Sequence, residues 1–139
     1  LDDPEATAAA LREGWLRTGD LGEVDADGCL RVLSRRDDLI ISGGENVYPA
    51  EIEEALREHP DVADAVVIGV ADGKWGEVPK AFVQLRSAAS PDLGAFLEPR
   101  LARYKLPRIE LVAEIPRLAN GKPDRARMKG TLPFIRFTG

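Results

Sequence analysis

Several short runs in the sequence carry side chains that could do chemistry, and the first two suit a sugar phosphate. Asp20 follows Gly19, and a carboxylate just after a glycine turn can accept two hydrogen bonds from vicinal hydroxyls, as in a ribose. The same carboxylate can instead cap the turn. In the run 34–38, Arg35 could contact a phosphate or a ribose beside a polar joint, although adjacent charges of both signs usually form a solvated cluster. Local chemistry leaves both interpretations open.

Two later loops carry the remaining candidates. The paired glycines Gly43 and Gly44 leave room for another group to pass close to the backbone, but a tight turn favours glycine by itself. They are not a phosphate loop, because the GxxxxGK[ST] frame and its following helix are absent. Lys122 lies in the polar loop 120–124, where its ammonium could supply charge to a phosphoryl or carboxylate oxygen in a transition state. An ordinary exposed lysine is the alternative.

The residue counts exclude a zinc site built from cysteine and histidine, because the sequence has one of each. No Ser-His-Asp or Cys-His arrangement is evident in the sequence either. Cys29 is expected to be a small buried residue of a strand rather than a nucleophile. A single cysteine also excludes an internal disulfide, which is typical of a reducing, cytoplasmic compartment.

Composition narrows the class of protein. A length of 139 residues fits one ordinary domain, or a small domain plus part of another. A net charge of -5 argues against a general nucleic-acid binder. No apolar run approaches the roughly 20 residues that a membrane-spanning helix needs, and no signal peptide is visible.

Hydrophobic periodicity predicts the elements that must position these residues. Helices are predicted at 4–13, at 49–59 and from 91 to 101, with Pro99 interrupting the last one. Ser90 is the expected cap of that third helix. From residue 116 onward, no core pattern is visible. Strands are predicted at 21–24, 29–33, 39–41, 45–47, 62–70, 79–86 and 109–112. This content indicates an α+β fold.

The order and spacing of the motifs resemble those of the adenylate-forming enzymes, the superfamily of acyl-CoA synthetases, peptide-synthetase adenylation domains and firefly luciferase. The matching segments are GWLRTGD at 14–20, SRRDDLII at 34–41, the glycine pair with EIE at 51–53, YKLP at 104–107, and Pro116 with NGK at 120–122. The form ISGGENVYPAEIE is most similar to acyl-CoA ligases for fatty, aromatic or related carboxylic acids. Ser34 departs from the glycine that the family usually has there, and Pro99 departs from an unbroken helix.

The resemblance implies a division into two parts. Residues 1–36 would be the tail of a large N-terminal adenylation domain, and residues 37–139 a C-terminal lid domain. The lid would have a short β-hairpin and a central, mostly antiparallel sheet flanked by helices. Asp20 would hold the ribose hydroxyls of ATP and AMP, and Arg35 would also contact the nucleotide. Asp37 would be the hinge of the lid.

The resemblance also implies a two-step reaction. A carboxylic acid and ATP would give acyl-AMP and pyrophosphate, and CoA would then displace AMP. Lys122 would act in adenylation, and Gly43 and Gly44 would line the CoA tunnel. Mg²⁺ would accompany ATP, bound mainly by the N-terminal domain. The phosphate loop, the adenine pocket and the acyl pocket would lie upstream, so the chain alone is expected to be inactive.

Three alternatives stay open at this point. The chain could be a free-standing binding module with the lid fold. It could also belong to an adenylation domain that loads a carrier protein instead of CoA. Finally, acylation of Lys122 could remove its charge and silence the first step.

Overall fold

The computed structural model describes residues 3–130, and its contacts divide them into two units between Asp37 and Asp38. The first unit begins with helix α1 (Pro4–Ala10), which Asp3 caps by accepting a hydrogen bond from the Ala6 N–H at 3.0 Å. The strands β1 (Leu11–Arg12) and β2 (Trp15–Leu16) then form a small antiparallel ribbon. Glu13 and Gly14 form its turn, with φ of 52° and 82°. The predicted helix 4–13 is therefore wrong after Ala10, because this turn reverses the chain.

A second hairpin completes the first unit. Strand β3 (Asp20–Val24) pairs antiparallel with β4 (Leu30–Arg35), close to the strands predicted at 21–24 and 29–33. The carboxylate of Asp25 closes the turn by accepting hydrogen bonds from the backbone N–H groups of Asp27 and Cys29. No residue from 3 to 37 is buried. The expectation of a buried Cys29 is wrong, since this residue sits in the exposed turn.

The second unit is built on a five-stranded sheet. Its order is β6-β5-β8-β7, with β9 also beside β8, and every pairing is antiparallel except β8–β9. The predicted mostly antiparallel sheet is thus confirmed. The strands are β5 (Ile40–Ser42), β6 (Glu45–Val47), β7 (Val62–Asp72), β8 (Gly76–Leu85) and β9 (Arg108–Val112).

Both faces of this sheet are covered, which explains the nearly continuous apolar run of β7. On one face, Ala65 and Val67 pack against helix α2 (Pro49–Arg57) and helix α3 (Leu93–Leu97). On the other face, Val66 and Ile68 belong to a cluster completed by Phe82, Val112, Ile115 and Met128. Of the helices described, none is long and apolar enough to cross a membrane.

Two expectations about the last third of the chain need correction. Helix α3 is capped by Asp92 rather than Ser90, and it ends at Leu97, because Pro99 prevents continuation rather than kinking a longer helix. A further helix, α4 (Arg125–Lys129), follows the Lys122 loop and buries Met128, where no core pattern was expected. Residues 131–139, included in the predicted lid domain, lie outside the described residues.

Candidate functional site

The predicted nucleotide residues Asp20 and Arg35 lie side by side. They are direct partners in the β3–β4 pairing, and Arg35 Nε is 3.2 Å from Asp20 Oδ1. The hairpin is closed at this end by a hydrogen bond from the Arg36 N–H to the Gly19 carbonyl. Both side chains keep exposed surface, 32% for Asp20 and 62% for Arg35. The pair can therefore offer a carboxylate acceptor and a guanidinium donor to one polar ligand.

The predicted hinge residue Asp37 is exposed and lies in a single 3₁₀ turn, Arg36–Asp38. The boundary between the two compact units directly follows it. The next residue, Asp38, belongs to the second unit, where its carboxylate lies 3.7 Å from Arg125 Nε.

The predicted glycine turn joins β5 to β6. Gly43 and Gly44 have φ of 59° and 87°, so both need the left-handed conformation that a tight hairpin turn of this kind requires. The indole of Trp75 lies directly on Gly43, where an added Cβ would be 2.7 Å from Trp75 Cε3. The Gly43 N–H also donates to the Trp75 carbonyl at 2.9 Å. Gly44 faces open space.

Trp75 is a residue that the sequence reasoning missed at this turn. Its side chain is 49% exposed, with the Lys74 ammonium 4.7 Å from its ring centroid. Asp72 fixes the preceding loop by accepting hydrogen bonds from the N–H groups of Lys74 and Trp75 at 2.9 and 3.0 Å. Those two hydrogen bonds are the main cause of a lowered pKa at Asp72, and the Arg108 guanidinium lowers the pKa further. Desolvation of the carboxylate acts in the opposite direction and raises the pKa. Aspartate side chains often accept hydrogen bonds from the backbone N–H groups two and three residues later. The position of Asp72 before Lys74 and Trp75 is therefore a local signal from which this loop could have been predicted.

Lys122 sits at the base of a tight turn. The Leu118 N–H donates to the Lys122 carbonyl at 2.8 Å, and the Gly121 N–H donates to the Leu118 carbonyl at 2.9 Å. Gly121 has a φ of 83°, which a glycine adopts without strain. The Lys122 side chain is exposed, and among residues 3–130 its ammonium forms no ion pair. The turn therefore presents a free cation on an ordered backbone.

Helix α4, which follows this turn, is attached to the free edge of β7 by a buried polar contact. Glu53 of α2 is only 7% exposed, and its carboxylate accepts hydrogen bonds from the Val67 N–H at 2.9 Å and from Arg125 Nη2 at 2.8 Å. Arg125 also donates to the Val67 carbonyl. Arg57 donates to the Ala65 carbonyl at 2.7 Å. These side chains satisfy backbone groups that a neighbouring strand would otherwise pair.

Comparison with known proteins decides the family. The sequence of residues 51–122 matches the protein family described as the AMP-binding enzyme C-terminal domain. This segment runs from the first turn of α2 to Lys122. The chain belongs to this family. The match covers more than half of the chain, and it confirms the resemblance that the motifs indicated.

The relatives of this chain are considerably longer proteins. A 2-succinylbenzoate–CoA ligase from Geobacillus kaustophilus is 58% identical over 134 residues, which are 94% of this chain and 27% of the ligase. The o-succinylbenzoate CoA synthetase of Bacillus subtilis, solved with its acyl-adenylate intermediate, superposes with a TM-score of 0.87 at 45% identity, covering 96% of this chain and 28% of the synthetase. The amide bond synthetase McbA of Marinactinospora thermotolerans gives 0.82 at 44% identity, covering 91% and 26%.

The predicted site residues of this chain thus fall into three places. Asp20 pairs with Arg35 in the first unit. In the second unit, the glycine turn between β5 and β6 meets Trp75, while Lys122 lies in a separate loop after β9. The described residues contain no cluster of acidic, histidine or cysteine side chains able to hold a metal ion.

Proposed function

We propose that this chain is the C-terminal portion of an ATP-dependent acyl-CoA ligase. The observation that carries the proposal is the second unit itself, which presents a free ammonium at Lys122 and a glycine turn bordered by Trp75 on two separate loops. A two-step reaction needs one group for each step, and one small domain can supply both in turn. The identity to several 2-succinylbenzoate–CoA ligases supports the same conclusion.

In the first step, a carboxylate oxygen attacks the α-phosphorus of ATP and pyrophosphate leaves. Negative charge is redistributed over the phosphoryl oxygens, and the ammonium of Lys122 stabilises it there more than in the ground state. Asp20 accepts hydrogen bonds from the ribose hydroxyls, and Arg35 contributes a second nucleotide contact. Mg²⁺ would accompany ATP, bound mainly by the N-terminal domain.

In the second step, the CoA thiol attacks the acyl carbonyl, and AMP is the leaving group. Gly43 and Gly44 line the passage for the pantetheine arm, because a backbone without side chains lets a ligand approach closely. The exposed face of Trp75 gives this passage an apolar wall. Rotation about Asp37 exchanges the Lys122 loop for the glycine turn, and the unit boundary after Asp37 supports that role.

For the acid, we propose an aromatic carboxylate of the 2-succinylbenzoate type. This assignment depends on the relatives, of which several 2-succinylbenzoate–CoA ligases are 49% to 58% identical to this chain. The acyl pocket belongs to the upstream domain of the proposed enzyme, called the full-length ligase below. Within that enzyme, residues 1–36 would end the N-terminal domain and residues 37–139 would form the lid.

The test supplies 2-succinylbenzoate, ATP and Mg²⁺ to the full-length ligase and measures pyrophosphate release, then thioester formation after CoA is added. We expect both products from the full-length ligase and neither from the chain alone. Transfer of the acyl group to a carrier protein, with none to CoA, would contradict the CoA assignment. A gene without an adenylation domain upstream of Leu1 would instead favour a binding module.

A further inference from the structure

The turn that carries Lys122 is attached on both sides to one continuous series of ion pairs. We call this series the charge ladder. It consists, in order of contact, of Arg117, Asp64, Arg57, Glu53, Arg125 and Asp38. Charges alternate along it, so every carboxylate lies between two guanidinium groups except the last. The ladder runs along the free edge of β7, and its two outer arginines are the ones that flank the Lys122 turn.

On the side before the lysine, Arg117 makes two contacts. One guanidinium nitrogen donates to the Gly121 carbonyl at 2.7 Å, and the other donates to the Asp64 carboxylate. The Gly121 carbonyl belongs to the peptide bond that leads into Lys122. Arg117 therefore connects the backbone next to Lys122 directly to β7, a strand of the five-stranded sheet.

On the side after the lysine, the contacts are more deeply buried. The Asp124 N–H donates to the Pro116 carbonyl at 2.9 Å and closes the base of the loop. Asp124 then caps α4 by accepting from the Arg127 N–H at 2.9 Å. From α4, Arg125 reaches Glu53 and the Val67 carbonyl, so the loop is also held to β7 on this side.

We propose that Arg117 and Arg125 are positioning residues for Lys122, a role that rests on the proposed function above. The ammonium of Lys122 has no partner of its own among residues 3–130, so its location depends on where its backbone is held. Arg117 and Arg125 fix that backbone from both sides to the same strand. Misplacement of a catalytic group by about 1 Å can cost about a hundredfold in rate, so loss of one tether is expected to be visible in catalysis.

The decisive variant is Arg117→Gln in the full-length ligase, because the Arg117 side chain is 45% exposed and its removal leaves the core intact. We expect acyl-AMP formation to fall about tenfold to a hundredfold, with no change in thioester formation from supplied acyl-AMP and CoA. Arg117→Lys should recover part of the loss. The matched control is Arg127→Gln, an exposed arginine on α4 that is outside the ladder, and it should leave both half-reactions unchanged.

A double variant separates positioning from a structural role. If Arg117 acts through Lys122, then adding Arg117→Gln to Lys122→Ala should slow acyl-AMP formation no further, whereas independent effects would multiply. Multiplying effects, or an equal loss in both half-reactions of Arg117→Gln, would overturn the inference. If Lys122→Ala itself leaves adenylation unchanged, the assignment of Lys122 is overturned and the inference fails with it. If Lys122→Ala abolishes adenylation and Arg117→Gln has no effect, only the positioning role is wrong.

Discussion

Asp20 and Arg35 face each other across two antiparallel strands, with 3.2 Å between the carboxylate oxygen and the guanidinium nitrogen. The pair lies at the end of its hairpin that the Gly19–Arg36 hydrogen bond closes. Arg35 Nε approaches only Oδ1 of this carboxylate, so Oδ2 can accept hydrogen bonds from a ligand. Two residues that the motifs single out separately thus form one unit in space.

The first prediction concerns nucleotide binding by this pair. In the full-length ligase, Asp20→Ala should raise the KM for ATP about tenfold to a hundredfold, since hydrogen bonds to a charged group contribute about 1.5–3 kcal/mol. Steady-state kinetics of pyrophosphate release at varied ATP would measure it. Glu23→Ala is the control, because Glu23 lies on the same hairpin in an exposed pair with Arg31 and should not affect KM. Equal effects of the two substitutions would contradict the ribose role.

The second prediction compares two neighbouring glycines. Gly43→Ala places a methyl group 2.7 Å from Trp75 and must displace the indole, whereas Gly44→Ala points into open space. Both changes introduce alanine at positive φ, so their backbone strain is similar. Because both glycines line the proposed CoA passage, we expect thioester formation from supplied acyl-AMP to fall in both variants. The fall should be larger in Gly43→Ala, which also displaces the indole, and acyl-AMP formation should be unchanged in both. Equal rates in the two variants would argue against a wall formed by Trp75.

Much of the fold was predictable from local pattern. The apolar stripe of α2 and the uninterrupted apolar run of β7 are local signals, and both elements appear where expected. Helix α4 was missed because it has only five residues, and its one buried side chain, Met128, becomes part of a core only when the sheet is present. Short helices of this kind depend on tertiary packing rather than on their own propensity.

Glu53 shows why the charge ladder could not be predicted. A glutamate in the first half of a helix is usually a solvated residue that favours the positive end of the helix dipole. Glu53 is buried because it accepts a hydrogen bond from Val67 on the free edge of β7, 14 residues later in the sequence. The residue pattern of the helix gives no sign of this distant partner. The residues Asp20, Gly43 and Lys122 were recognisable because the spacing of their motifs is characteristic. Trp75, which lies on Gly43, and Arg117, which binds the backbone next to Lys122, belong to no recognised motif.

The third prediction tests the stability that Glu53 provides. Glu53→Ala in the 139-residue chain removes a buried carboxylate, leaving the Val67 N–H unpaired and Arg125 without its main partner. The free energy of unfolding should fall by about 3 kcal/mol, as when one member of a buried ion pair is deleted. Glu54→Ala, at the exposed neighbouring position, should change it by less than about 0.5 kcal/mol. Urea denaturation followed by circular dichroism would measure both, and similar values would contradict the burial argument.

The fourth prediction concerns acid and the Trp75 loop. The folded-state pKa of Asp72 lies below its ordinary value of 3.8, so the loop hydrogen bonds are fully present above 3.8 and are lost as the pH falls through the lowered pKa. In a Trp15→Phe background, Trp75 is the only tryptophan and its fluorescence reports the loop. The acid transition should have its midpoint below 3.8. Arg108→Gln should move it upward, since the guanidinium helps to lower the pKa. An unchanged midpoint in that variant would contradict the role of Arg108.

The central claim is that this unit supplies the adenylation cation at Lys122 and serves thioester formation with a different loop. The most direct measurement compares both half-reactions of the full-length ligase with Lys122→Ala, and with Lys129→Ala as a control at an exposed lysine of α4. The account predicts that Lys122→Ala slows acyl-AMP formation by about two to three powers of ten and leaves thioester formation from supplied acyl-AMP unchanged, while Lys129→Ala changes neither. An equal loss in both half-reactions of Lys122→Ala would contradict it.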